Sequence, residues 1–199
     1  MAQIQHDAGI VRHEVRTTVA TGRCLVIGEA AVGKTALLRV LCGGAYPREY
    51  AQTSAPAVCS GAVAVPLAAS ESVNFIFVDV PGGTVYNMRP GSDLSRALLS
   101  GAVAAVVCFS VDSRESLAAA GKWLRLAPPG VPCVLLGCKA DLRGADRAVV
   151  GAAEAGAAAA ALGAKFYEAS ALSGEGVRAP FEWLAGELAS SAAARQAGT

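Results

Sequence analysis

Apolar and polar positions follow two rhythms along this chain. Short, nearly unbroken apolar runs occur at Cys24-Leu25-Val26-Ile27, 102–110 and 131–137. Runs of that kind predict strands buried on both faces of a parallel sheet. Two further stretches, 58–67 and 73–80, predict a hairpin joined by Ala68-Ala69-Ser70-Glu71-Ser72. The second is Val73-Asn74-Phe75-Ile76-Phe77-Val78-Asp79, a buried strand that ends on a carboxylate, and 165–169 predicts a last strand. Between the strands lie helix-favouring segments. These are 36–41, then 113–126 capped by Asp112 or Ser113 and closed by Pro128-Pro129-Gly130, the alanine-rich 148–162, and 177–190. Alternating strands and helices build a parallel sheet covered on both faces. The expected organisation is an N-terminal extension over 1–21, one domain over 22–190 and a flexible tail over 191–199.

Composition narrows the function classes. The chain has 199 residues, enough for one domain with a full core. It is 53% apolar and 17% charged, and its net charge of +1 argues against a nucleic-acid partner held by a basic field. None of the six cysteines shows Cys-x-x-Cys spacing, so free thiols in a reducing compartment are expected rather than a disulfide framework or zinc site. Residues 1–22 lack the apolar core of a signal peptide, and His6 and His13 read as solvated tail residues. Ala2 stands where myristoylation needs glycine, and 194–199 carry no cysteine for prenylation. The longest apolar run, 102–109, is too short to span a bilayer. A cytoplasmic protein with no lipid anchor is the expectation.

The candidate chemistry begins at Gly28-Glu29-Ala30-Ala31-Val32-Gly33-Lys34-Thr35, which follows the first strand and leads through Ala36 into the first helix. Strand, glycine loop and helix in that order are the context of a phosphate-binding P-loop. Gly28 and Gly33 let successive N–H groups face inward as a cradle for phosphate oxygens. Lys34 is placed to reach the β- and γ-phosphates, and the Thr35 hydroxyl to ligate magnesium. Further candidates fall at strand ends or in adjoining loops: Thr53, Asp79-Val80-Pro81-Gly82, Gly137-Cys138-Lys139-Ala140-Asp141 and Glu168-Ala169-Ser170-Ala171-Leu172. Taken alone, an Asp-x-x-Gly is a common turn and a loop threonine carries no signal. Together with the P-loop they gain weight.

In this order the segments resemble a Ras-superfamily small GTPase of the Rab-like branch, over about residues 22–190. The resemblance implies the P-loop small-GTPase fold: a mostly parallel six-stranded sheet, one antiparallel hairpin strand, and helices on both faces. It implies GTP or GDP with Mg as cofactors. Tyr50-Ala51-Gln52-Thr53 resembles switch I and Asp79 to Gly82 switch II. Thr35 and Thr53 would then hold magnesium, with Asp79 at one remove through water. Asp141 would bond the N1 and N2 donors of guanine, the Lys139 stem would cover the base, and the amide of Ala171, in the Ser170-Ala171-Leu172 loop, would face O6.

Three positions depart from the family pattern. Gly83 occupies the place of the catalytic glutamine and cannot orient the attacking water, so hydrolysis is expected to be slow, with no catalytic residue assigned; nothing in the sequence requires Thr84 or a partner residue to compensate. Cys138 replaces the asparagine of the base motif, and a thiol is a weak hydrogen-bond partner. Ala55, followed by Pro56, replaces the glycine two residues after the switch I threonine. The altered switch II, the long hairpin and the segment Arg178-Ala179-Pro180-Phe181-Glu182-Trp183-Leu184-Ala185 are most similar to the Rab-like GTPase group of the intraflagellar transport machinery. That likeness implies an obligate partner, a small β-sandwich subunit, and a place at the cilium or flagellum and basal body. The alternatives are a structural pseudo-GTPase docking module with a vestigial site, or a conventional trafficking Rab-like switch. An ATPase or P-loop kinase is disfavoured.

Overall fold

The computed structural model describes residues 16–49, 51–66, 68–83, 99–144 and 147–197. Along the chain run β1 (Thr17–Gly28), α1 (Lys34–Leu41), β2 (Ala57–Val65), β3 (Ala68–Asp79) and β4 (Ala102–Ser110). They are followed by α2 (Arg114–Ala118), α3 (Ala120–Leu124), β5 (Cys133–Cys138), a 3₁₀ turn (Ala140–Arg143), α4 (Ala152–Ala161), β6 (Lys165–Ala169) and α5 (Ala179–Ala197). The six strands form one sheet in the order β2-β3-β1-β4-β5-β6. Among the described residues only the β2–β3 pair is antiparallel, and the other four pairs are parallel. This is the expected fold class.

Residues in β1 alternate between two cores, as a central strand must. Cys24 and Val26 face one core with Leu37 and Leu38 of α1 and Phe181 and Leu184 of α5. The Phe77 and Phe181 rings meet edge to face at 5.2 Å. Leu25 and Ile27 face the other core with Leu117, Trp123, Ala155 and Ala159 from α2, α3 and α4. Because five strands run parallel, Gly28, Asp79, Ser110, Cys138 and Ala169 end on one edge of the sheet. Ligands bind at that carboxyl edge in open α/β sheets.

Several boundaries differ from the sequence reading. The hairpin is tighter: Ala68 to Ser72, expected as a loop, belongs to β3, and only 66–67 separate it from β2. Glu71 and Ser72 pair with Thr17 and Thr18, so β1 also starts inside the segment read as an extension. The helix expected over 113–126 is two short pieces, with Ser113 as the cap whose Oγ accepts from Ser116 N–H. At Ala119 the coil tightens, its carbonyl taking N–H bonds from both Lys122 and Trp123. Helix α4 starts at Ala152 rather than 148, because Val149 and Val150 give their N–H groups to Val111 O instead. At the other end α5 continues to Ala197 through residues expected as tail, where Ser191-Ala192-Ala193-Ala194 favours helix and Arg195 bonds Ser191 O. No helix among the described residues is long and apolar enough to cross a membrane.

Candidate functional site

The P-loop turns on two glycines. At Gly28 a Cβ would lie 2.2 Å from the Cys108 carbonyl oxygen, and the backbone takes φ +143, so only glycine fits between strands there. Gly33 (φ 111) opens α1, and its neighbour Val32 plugs into the core. Gly82, just after β3, closes on the loop, where a Cβ would stand 2.1 Å from Ala30 N. That contact has no tolerance for a side chain.

Lys34 is buried, and its ammonium donates to Gly28 O at 2.8 Å and Glu29 O at 2.7 Å. Burial pulls its pKa below 10.5, only partly opposed by Cys108 and Asp79. An ammonium has three hydrogens, so one remains for a phosphate oxygen. Thr35 Oγ1 donates to Asp79 Oδ2 at 2.5 Å and lies 2.7 Å from Thr53 Oγ1. With its one hydrogen committed to Asp79, Thr35 must accept the hydrogen of Thr53. Three segments far apart in sequence therefore meet at one hydroxyl. Asp79 is 3% exposed, and its Oδ1 is a buried acceptor with no partner. Burial raises the Asp79 pKa above 3.8, while the Thr35 hydrogen bond and the Lys34 charge pull it down. Two convergent hydroxyls beside an unsatisfied carboxylate oxygen fit a hard divalent cation.

A cavity of about 550 Å³ lies over this cluster, lined by Ala30, Ala31, Gly33, Lys34, Thr35, Ala36, Thr53, Gly82 and Gly83 among others. It runs into a second cavity of about 290 Å³ through the shared residues Gly33, Ala36, Tyr46 and Lys139. Cys138, Asp141, Ala171 and Leu172 line the second. Ser170 is buried behind it, donating to Asp141 Oδ1 at 2.5 Å and accepting from Ser173 N–H at 3.2 Å. The Cys138 thiol lies below the loop, 4.0 Å from where a Cβ on Gly33 would stand. Cys138 reaches the loop by contact rather than as a strong donor.

Of the residues singled out in the sequence, Ala30, Ala31, Gly33 to Ala36, Thr53, Gly82, Gly83, Cys138, Lys139, Asp141, Ala171 and Leu172 line the cavities, Gly28, Glu29, Val32, Asp79 and Ser170 lie behind them, and Ala55, Val80, Pro81, Gly137, Ala140 and Glu168 line neither. Tyr50 and Thr84, with His6 and His13, lie outside the described residues. Other groups carry no local signal. The Trp123 indole N–H donates to Glu29 Oε1 at 2.9 Å, turning the Glu29 side chain away from the cavity and fixing the loop's second residue. Lys139, in a left-handed turn (φ 62), sets its ammonium 3.5 Å from Asp112 Oδ2. Burial disfavours the Asp112 charge, but Ser110 and Lys139 outweigh it and hold its pKa below the ordinary 3.8. Arg143 pairs both its Nε and a terminal nitrogen with Glu168, tying the Asp141 turn to the strand before Ser170. Tyr46 lines both cavities.

Residues 23–190 match the model of the Ras family. The chain is 32% identical to the GTP-binding protein RHO1 of Candida albicans over 176 residues, covering 80% of this chain and 84% of that protein. It is 36% identical to the GTP-binding protein RHO2 of Saccharomyces cerevisiae over 174 residues, 80% and 85% of the two chains. It is also 32% identical to the human intraflagellar transport protein 27 homolog over 170 residues, 82% and 87% of the two chains.

Proposed function

The chain belongs to the Ras family, and on that premise we propose a Rab-like guanine-nucleotide-binding subunit of intraflagellar transport that holds GTP or GDP with magnesium and hydrolyses GTP slowly. The observation that carries the nucleotide reading is the meeting of Thr35, Thr53 and Asp79 beside the free hydrogen of Lys34. Lys34 and the loop amides from Glu29 to Ala36 hold the β- and γ-phosphates. Thr35 and Thr53 would hold magnesium, with Asp79 at one remove through water. A bound magnesium ion would neutralise charge on those phosphates. Asp141, steadied by Ser170, would select guanine; the Lys139 stem would cover the base, the Ala171 amide would face O6, and Cys138 gives up a contact that a stronger donor would make. Gly82 brings switch II against the loop, and Gly83 presents no group to a water molecule.

The human relative supports the transport reading, together with Gly83 and the Ala179-Pro180-Phe181 start of α5. Rho proteins match at comparable identity, so identity alone does not separate the branches. In this reading the partner is a small β-sandwich subunit and the site of action is the cilium or flagellum and its basal body.

Two measurements test it. Nucleotide released from the purified chain by denaturation and resolved by chromatography should be GDP or GTP; ATP, or none together with no uptake of added GDP, overturns the first half. Capture of the chain from ciliated cells should bring down transport subunits. Recovery of membrane-trafficking effectors without them overturns the second.

A further inference from the structure

Cys42 and Cys59 stand apart from the nucleotide cavity and take no part in the reading above. Cys42 ends α1, its N–H bonded to Leu38 O at 2.9 Å, and the bonds of Gly43 N–H to Val40 O and Gly44 N–H to Arg39 O hold the turn that follows. Cys59 lies on β2 opposite Phe77, on the sheet face that packs α1 and α5. The two sulfurs are 3.2 Å apart across 17 positions of sequence. Cys42 is exposed and Cys59 half-buried. A cavity of about 70 Å³, lined in part by Cys42, Gly61, Phe77 and Arg178, opens beside Cys42 and has room for a small oxidant. Cys108 and Cys138 also touch, but Cys108 is buried and Cys138 belongs to the lining of the nucleotide cavity already described.

We propose that Cys42 and Cys59 form a peroxide-responsive thiol pair that closes to an intramolecular disulfide, making residues 43–58 a covalently bounded loop. Cys42, the accessible thiol, attacks as thiolate; the peroxide O–O bond breaks, giving a sulfenic acid on Cys42 and, with one proton, a water molecule. The Cys59 sulfur then attacks Cys42 Sγ, the S–O bond breaks, and the leaving hydroxide takes the Cys59 proton as a second water. The two sulfurs together lose two electrons and the peroxide gains two. Burial, with the Cys42 thiol beside it, pushes the Cys59 pKa up to about 12, which fits Cys59 as the resolving rather than the attacking group. The bond would fasten both ends of the segment that carries Tyr46 and Thr53.

The full chain is treated with one equivalent of hydrogen peroxide, alkylated and digested with trypsin without reductant. Cleavage after Arg39, Arg48 and Arg96 places Cys42 in peptide 40–48 and Cys59 in peptide 49–96. These two should appear joined, two hydrogens lighter than their sum, and separate with dithiothreitol. Oxidation should raise Tm by roughly 5–10 °C, as expected for closing a loop of this length, and not in Cys42→Ser or Cys59→Ala. A trapped sulfenic acid on Cys42 in Cys59→Ala supports the assigned order. A Cys42–Cys42 dimer, a link through Cys108, or sulfinic acid on Cys42 without a cross-link would overturn the proposal. The mapping is independent of nucleotide, so its failure leaves the nucleotide reading standing.

Discussion

Trp123 and Glu29 are joined across 94 positions of sequence by one hydrogen bond, from the indole N–H to the carboxylate, at 2.9 Å. Trp123 is 1% exposed, so the bond lies at the boundary between the second core and the P-loop. Trp123→Phe keeps an aromatic ring in that core and removes the donor. A hydrogen bond to a charged group is worth about 1.5–3 kcal/mol. Urea unfolding of the variant should show a loss in that range, and nucleotide should dissociate faster. An unchanged midpoint would mean that Trp123 acts by packing alone.

Lys34→Ala should weaken GTP and GDP on the order of 100-fold or more, since it removes a charged donor from the phosphates. The fold should survive, because the buried ammonium is itself a desolvation burden in the empty protein. Titration with fluorescent GDP, checked by circular dichroism, reads both. Equal affinity in the variant would exclude Lys34 from the phosphate site.

Asp79 makes a pH-dependent contribution with a definite sign. Its folded-state pKa is raised, so the stability it lends is full below about pH 3.8, where it is protonated in both states, and is lost as pH rises through the folded-state value. Above that point the empty protein carries a buried carboxylate. Asp79→Asn should therefore stabilise the nucleotide-free chain near neutral pH, remove the fall in urea midpoint above pH 3.8 expected from Asp79 in wild type, and weaken magnesium-dependent GTP binding. A variant less stable than wild type at neutral pH would contradict this.

Gly83 is exposed, and a Cβ there meets nothing within 4 Å, whereas one on Gly82 would strike the P-loop backbone. Gly83→Gln should fold normally and raise single-turnover GTP hydrolysis about ten-fold by orienting water. No rise would mean that the missing glutamine is not what limits the reaction. Gly82→Ala, by contrast, should cost nucleotide affinity.

The Cys138 thiol touches the loop without a strong donor. Cys138→Asn would restore an amide at the site, worth about 1–2 kcal/mol, or roughly ten-fold tighter GDP. Equal affinity would show that the loop is held in some other way.

Those predictions draw on two kinds of information. Gly28 through Thr35, Asp79 and Asp141 were legible because each sits in a short motif directly after an apolar run, and the sheet then brings the strand ends together. Trp123 with Glu29, Asp112 with Lys139 and Arg143 with Glu168 were not legible, because each pair is formed only by tertiary packing. Element ends failed for a related reason. Ser70-Glu71-Ser72 looks like a loop in polarity, yet β3 uses it as strand because β1 pairs with Glu71 and Ser72. Val149 and Val150 continue the alanine-rich helical segment in sequence, but Val111 takes both of their N–H groups.

The unsatisfied Asp79 Oδ1 beside the desolvated Lys34 bears on how long the molecule survives in a cell. An empty site of this kind is a standing penalty that occupancy relieves, and a ligand at 100 times its Kd adds about 2.7 kcal/mol to folding stability. Molecules that lose nucleotide open more often and meet proteases sooner. Abundance of the chain would then track supply of its ligand, making degradation, as much as any change of shape, a readout of nucleotide state.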